Sequence, residues 1–444
     1  MRSMSANLER SIGSQIRQCV SLLQSDDPLV LVAGLRGLLR VGTPPSELRQ
    51  YLADVYSAFL RSFDAEIDVD VGSVELKKVA LEGLTQLLRG DGGQGKVALR
   101  LNLKGALIPG LFDLSKLELL CICDFSGARF LGGVDFRGTK FSGHVDFTRA
   151  EIVGKGSFSG ASFLGGVDFS MTTFHGDRTV FKGTDFTNAQ ISERSTFYKA
   201  RFMDKVAFMN ATFSNSVSFS YANFEAGANF FAANFERSCV YNSCVFGGDA
   251  EFSRAKFLGF VSFSEAKFKG RAELSAAVFE DDVDLSRVNF EGQFQMVGAK
   301  FHKDLSLERC WSTGPLYVRG CVFKGPVAFF RSEFSGPVHL EGCTFASSVE
   351  LSKCNFDAIT SFAESVFKGS LSADESVFRG ATSFIKVRLP GEQGTLGSTF
   401  LGEVVSDLPN PQILGNSADE RRSEGALSIL ELIEPPAELL EQLD

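Results

Sequence analysis

Of 444 residues only one is Trp, six are Tyr, four are His and 12 are Pro. The four His form no His-x-x-x-His motif and no His/Cys cluster, so no metal or other cofactor is expected. No run reaches the roughly 18 to 20 apolar residues that cross a bilayer, the longest being short stretches such as Leu29 to Ala33. A transmembrane helix is therefore not expected. Met1 to Arg10 lacks the apolar core and small-residue cleavage pattern of a signal peptide, which argues against secretion, and a cytoplasmic protein is expected. Gly90 to Gly95 lacks the Gly-Lys-Ser/Thr ending of a phosphate loop, and no Gly-x-Ser-x-Gly turn occurs. No catalytic residue is assigned, and the chain is not read as an enzyme. Neither sign of charge dominates: 45 Lys and Arg face 54 Asp and Glu, and residues 415–444 alone contribute −6 of the net −9. The rest is close to neutral, so direct nucleic-acid binding is not expected.

Phe and Gly are what the chain has in abundance, with 44 of each. From Phe202 a step of eleven lands on Phe213, Phe224 and Phe235 and continues to Phe378, slipping only at Ser312. A second series, offset by five or six, runs from Phe197 through Phe208, Phe219, Phe230 and Tyr241 to Phe384, with aliphatic residues at several later steps. Upstream the lattice recurs in a shifted frame, Phe125, Phe136, Phe147, Phe158 and Phe169 interleaving with Phe130, Phe141, Ile152, Phe163 and Phe174. The irregular stretch His175 to Ile191 absorbs the shift. Together with Phe181 and Phe186 this lattice holds 36 of the 44 Phe, so the composition and the period are one fact.

An eleven-residue period also suits right-handed coiled coils. The residue types argue for strands instead. Units such as Gly133-Val134-Asp135-Phe136 and Ser216-Val217-Ser218-Phe219 are β-branched and aromatic, and Gly recurs two after the lattice residue, as at Gly132, Gly143, Gly259 and Gly336. Gly at that density breaks helices. Within each unit a small residue, a polar residue and the ring alternate, so the small and large residues share the inward side.

Units such as Tyr221-Ala222-Asn223-Phe224-Glu225 and Ala232-Ala233-Asn234-Phe235-Glu236 resemble the bacterial pentapeptide-repeat proteins, here in a Phe-rich form with alternating five- and six-residue units. The resemblance implies a mainly β fold, a right-handed four-sided parallel β-helix, with 22 residues per coil. Stacked coils about 4.8 Å apart pair their backbones, and only the two ends have edges. Two functions follow as expectations. One is a non-enzymatic scaffold or protein–protein interaction rod. The other, implied by the fluoroquinolone-protecting members of that family, is an acidic DNA mimic that binds a type II topoisomerase such as gyrase. Arg129, Lys140, Arg149, Lys182, Lys256, Lys267, Lys269 and Arg331 interrupt the acids and weigh against mimicry.

Seven of the nine Cys, at 123, 239, 244, 310, 321, 343 and 354, fall two before a lattice position, a slot that wants a small residue. Cys321 and Cys343, 22 apart, would stack coil on coil. Asp135, Asp146, Asp168 and Asp284 precede lattice residues and should point outward as solvated ladders. His144, His175, His302 and His339 are read as exposed residues on or near turns.

Three domains are expected. Residues 1–97 have helical grammar: Asp27 caps a helix with Pro28 at its first position, Thr43 with Pro44 and Pro45 starts another, and Val74 to Leu88 reads as a further amphipathic helix stopped by Gly90. Residues 98–384 form the β-helix. Residues 385–444 are an irregular linker and acidic, partly helical tail, a candidate for self-association. The register is read as lost after Phe384. Breaks in the lattice mark candidate partner contacts, His175 and the lone Trp311; the partner is expected to be another protein.

Overall fold

The computed structural model describes residues 2–41, 44, 46–62, 71–90, 95–176, 183–390 and 396–408. Thr43, Pro45, Phe181 and the acidic tail lie outside these residues. The chain divides into two units, Met1–Asp284 and Leu285–Asp444, each taken by itself.

The first unit opens with four helices: α1 (Arg2–Leu22), α2 (Pro28–Leu39), α3 (Ser46–Arg61) and α4 (Val71–Arg89). Asp27 caps α2 as expected, its carboxylate accepting the Leu29 N–H at 2.8 Å, with Pro28 in the first turn where a missing N–H costs nothing. Past α4, Gly90 takes φ +57°, the left-handed conformation that ends helices. Leu35, Leu52, Leu60, Leu84 and Leu88 bury their side chains among the helices. No described helix is long and apolar enough to cross a membrane.

Helices α3 and α4 cover the first coil. Gln50 on α3 donates to the Arg100 carbonyl at 3.1 Å and accepts the Arg100 N–H at 2.9 Å, pairing like an extra strand residue. Arg89 at the end of α4 forms a 2.6 Å ion pair with Asp113 and donates to its carbonyl at 3.2 Å. These contacts occupy backbone that an uncovered edge would offer to another chain.

From Lys96 onward the first unit is a four-sided parallel solenoid of two-residue strands. Each strand pairs with the one 22 residues away, as in Val217↔Cys239, Asn223↔Val245, Ala228↔Ala250 and Asn234↔Lys256. In one coil the step is 28, Ser162↔Gln190, so the irregular stretch inserts six residues at a corner without breaking the ladders. The second unit is built alike, with Lys300↔Val322, Leu305↔Val327, Trp311↔Glu333 and Leu316↔Val338 as one set of four sides. The lattice also outlasts Phe384. After residues 391–395 the strands Thr399–Phe400 and Val404–Ser406 extend two sides, and the Phe400 ring stacks on Phe378 at 4.8 Å. The sequence hides them because the step of eleven fails at Leu389 and Thr395, although the step of 22 from Phe378 to Phe400 is kept.

The rings face inward. Phe208, Phe219, Phe230 and Phe252 have no measurable exposure. Along one side successive rings lie parallel, Phe208 on Phe230 and Phe230 on Phe252 at 4.8 Å with interplanar angles of 2° and 1°. Across the core they meet edge to face, Phe219 against Phe230 at 5.5 Å and 84°. Burial contributes roughly 1.5–3 kcal/mol per ring and the edge-to-face pairs about 0.5–1.5 kcal/mol more.

Two kinds of corner alternate. In the five-residue corners, such as Phe219-Ser220-Tyr221-Ala222, the Ala222 N–H returns to the Phe219 carbonyl at 2.8 Å and Tyr221 sits at φ 61°. That is a type II turn, and its third position favours Gly. In the six-residue corners a residue two after the ring passes over the coil beneath; a Cβ on Gly336 would lie 2.4 Å from the Gly314 carbonyl oxygen.

The small slot two before each ring does more than fit. Where the slot that closes a five-residue corner holds Ser, Thr or Cys, the side chain donates to the carbonyl of the lattice residue 25 positions earlier: Thr139 to Leu114 at 2.8 Å, Cys244 to Phe219 at 2.8 Å, Ser332 to Leu307 at 2.7 Å and Cys354 to Phe329 at 2.9 Å. Ser332 also accepts the Cys310 N–H at 2.9 Å. All nine Cys are free thiols, seven of them buried. Cys321 and Cys343 donate to the Met296 and Val318 carbonyls at 3.4 and 3.3 Å, which gives both a structural role.

Two substitutions check this packing. Phe257, stacked between Phe235 and Phe279 at 4.8 Å on each side, should tolerate Leu at a cost of about 1 kcal/mol, whereas Phe257→Asp buries an unpaired carboxylate and should abolish cooperative melting. Ser332→Ala removes a donor and an acceptor at once and should cost about 2 kcal/mol by urea unfolding, with Ser332→Cys recovering part of it.

Candidate recognition surface

A filled interior leaves the outward positions to meet other molecules. On the side of the second unit formed by Phe294–Val297, Leu316–Arg319 and Val338–Glu341, the strands run four residues rather than two. Their outward residues stack in register, Gln295↔Tyr317↔His339↔Ser361, with Arg319↔Glu341 beside them.

The Tyr317 and His339 rings lie 5.1 Å apart and nearly parallel at 18°, and the Arg319 guanidinium sits 5.2 Å from the Tyr317 ring. His339 Nδ1 is 2.9 Å from Glu341 Oε1, so that nitrogen carries the proton and donates to the carboxylate. Arg319 Nε lies 3.0 Å from the other Glu341 oxygen, out of line for a hydrogen bond but close enough for strong attraction. Gln293 donates to Gln295 at 2.6 Å. This corrects the reading of His339 as an exposed turn residue. It lies mid-strand and is only 6% exposed, because Tyr317 and Glu341 cover it.

The buried carboxylates of the solenoid carry opposite balances. Burial by itself would raise the Glu341 carboxyl, but the His339 hydrogen bond and charge, the Ser361 hydroxyl and Arg319 together hold it below the ordinary range. Glu273, in the first unit, is pushed upward, chiefly by burial and further by Glu251 in the neighbouring coil, against the partial relief of Ser275 and Arg271. Asp135 is not a freely solvated ladder residue. Burial would raise it, but two hydrogen bonds from Arg137 and that guanidinium's charge hold it low. Asp146 and Asp168, paired with each other on a different side of the coil, are only half-buried, each accepting the N–H two residues on at 2.7 Å.

Trp311 begins the strand Trp311–Ser312, with its backbone paired to Asn289 and Glu333 and its side chain outward, 45% exposed. His175 lies half-buried in the strand Thr173–Gly176 of the first unit. Other large apolar groups stand outward at corners: Tyr221, Leu258 and Phe260 in the first unit, with Tyr198 edge-on to Tyr221 at 5.7 Å and the Lys199 ammonium over both rings. Charges of both signs interleave along the coils. Arg129 pairs with Glu151 at 2.9 Å, Lys140 with Glu118 at 3.3 Å and Arg201 with Glu225 at 3.0 Å in the first unit, and Arg379 with Asp357 at 2.6 Å in the second. Among the described residues no group of three or more His, Cys, Asp or Glu is placed to hold a metal ion.

The polar stack escaped sequence reading because its members occupy the outward slot that elsewhere holds ordinary surface residues. Its one signal was the recurrence of Tyr317-x-Arg319 as His339-x-Glu341, 22 residues on.

A family model described as pentapeptide repeats (9 copies) matches residues 136–183, 241–289, 263–311 and 329–372. No curated protein and no solved structure matches the chain.

The two acids give stability tests of opposite sign. Glu273, raised in the folded state, destabilises at neutral pH, so Glu273→Gln should raise the melting temperature at pH 7 and the gain should vanish as the pH falls below about 4. Glu341, lowered in the folded state, stabilises above its unfolded value near 4.3, so Glu341→Gln should lower the melting temperature at pH 7, with the deficit closing as the pH drops further. Melting curves from pH 7 to pH 3 measure both.

Proposed function

This is a pentapeptide-repeat protein, and we propose that it works as a non-enzymatic scaffold that binds another protein along its outer faces. The observation that carries this reading is the filled core: rings stacked at about 4.8 Å leave recognition to the outside, and there Trp311 stands 45% exposed beside polar neighbours. A large, stiff aromatic of this kind is the usual anchor of a protein interface. Trp311 in the second unit and His175 in the first are the partner contacts in this proposal. The nine free thiols fit a reducing, cytoplasmic setting, and residues 385–444 remain the proposed route to self-association.

The interleaved ion pairs favour a scaffold over a DNA mimic, because a duplex presents one negative charge per roughly 1.7 Å of axis without interruption. The fold itself is no argument for a particular pathway, since function resides in the surface groups.

The test places a photoreactive aromatic residue at position 311 of the full-length chain, with a second variant carrying it at Tyr221. The scaffold reading predicts a specific crosslinked protein from position 311 that Trp311→Ala no longer captures in a parallel pulldown. Crosslinking indistinguishable from background at both positions, or inhibition of gyrase supercoiling by the purified protein, contradicts it.

A further inference from the structure

Along one edge of the second unit, four successive five-residue corners place a cation at the left-handed third position: Arg287, Arg309, Arg331 and Lys353, at φ 56°, 55°, 59° and 60°. Each donates its backbone N–H to the next coil, to the carbonyls of Glu308, Phe330, Ser352 and Asp374 at 2.8, 2.9, 3.1 and 2.8 Å. The four exposed side chains therefore stand on one straight ridge, about 4.8 Å from coil to coil. Like charges stacked in register repel, and a side chain at such a φ is itself unfavourable. The other five-residue edge of this unit fills the same position with Gly298, Gly320 and Gly342. Among the described residues Arg309 and Arg331 form no ion pair, and neither does Glu308, the one acid within these corners. Lys353 faces Glu375 at 3.7 Å on open surface, where such a pair contributes little. Glu333 and Glu350 stand on the flanking strands, off the ridge itself. Apolar surface adjoins the cations. The Phe330 ring lies 5.0 Å from the Arg331 guanidinium and 5.9 Å from the Lys353 ammonium, and Trp311 follows Arg309 by two residues.

The complement to this ridge is in the chain itself. The described residues of the unit end at Leu408, just past the strand Val404–Ser406. Beyond them, residues 423–444 hold six Asp and Glu, eight Leu and Ile, and no Lys or Arg. We propose that the ridge is the docking surface of the chain's own residues 423–444, carboxylates meeting the four cations and Leu and Ile side chains lying against Phe330 and Trp311. Reach is sufficient. The intervening residues 409–422 span up to about 45 Å, and Arg287, the far end of the ridge, lies five coils or roughly 24 Å below the corner at Gly397. Tethering holds the segment at an effective concentration in the millimolar range, so each chain fills its own ridge before that of a second copy. Self-association through the tail then requires the segment to leave its ridge. Docking shields Trp311 whether or not that residue anchors a partner, and its test uses the purified protein alone.

Trp311 is the only Trp of the chain, so its fluorescence reports on this ridge. In the full-length protein acrylamide should quench it weakly at low salt, and molar salt should raise the quenching constant about twofold by screening the charge pairs. Full-length protein carrying Glu431→Lys, Glu434→Lys and Glu438→Lys should show the raised constant already at low salt. Adding Arg309→Glu, Arg331→Glu and Lys353→Glu should bring it back down, since the swapped charges again attract. Glu375, one coil on, shows that this corner accepts Glu. The tail variant decides alone if the combined variant does not fold. An unchanged constant in the tail variant overturns the proposal, as does a wild-type constant that rises on dilution, which assigns the segment to a second copy.

Discussion

Everything in this molecule depends on one residue in each short side of a coil turning a large apolar ring inward and stacking it on its counterpart 22 residues away. The stack sets the register, because a slip of one residue would turn the ring out and the polar neighbour in. Once the register is fixed, two-residue strands suffice: each backbone group finds its partner in the next coil, and strands too short to persist alone are held by their stacked neighbours. The six-residue insertion between Ser162 and Gln190 shows the hierarchy. The corner absorbs the extra chain, while the Phe174 ring stays stacked on Phe202 at 4.7 Å.

Much of this was legible in the sequence because apolar burial acts at fixed intervals. The elevenfold recurrence from Phe202 to Phe378 gives both the strand position and the inward direction, and Asp27-Pro28 announces the start of α2. Less was legible where different residue types meet the same geometric demand. The left-handed corner holds Gly298 but also Tyr221, Arg254 and Glu265, so no composition marks it. The slot two before the ring looked like a volume constraint; Ala222 and Ser332 both satisfy that, but only the serine makes the buried bonds to neighbouring coils.

The polar stack around His339 was illegible for a related reason. Outward slots are under little packing constraint, so a histidine there reads as surface. Its burial arises from Tyr317 in one coil, Glu341 two residues on and the longer strands they sit on, a combination that exists only after the coils are stacked. Trp311 is the reverse case. Its rarity drew notice, and the fold leaves it outside on a backbone held rigidly on both edges, the arrangement that spares a partner the cost of ordering an anchor.

The account is tested most directly by replacing the 44 phenylalanines with 4-fluorophenylalanine and recording the fluorine spectrum with and without a soluble paramagnetic probe. If the rings line the inside, most resonances stay sharp and a small set broadens, including that of the exposed Phe260. Broadening of most resonances would place the rings in water and contradict the fold from which everything else follows.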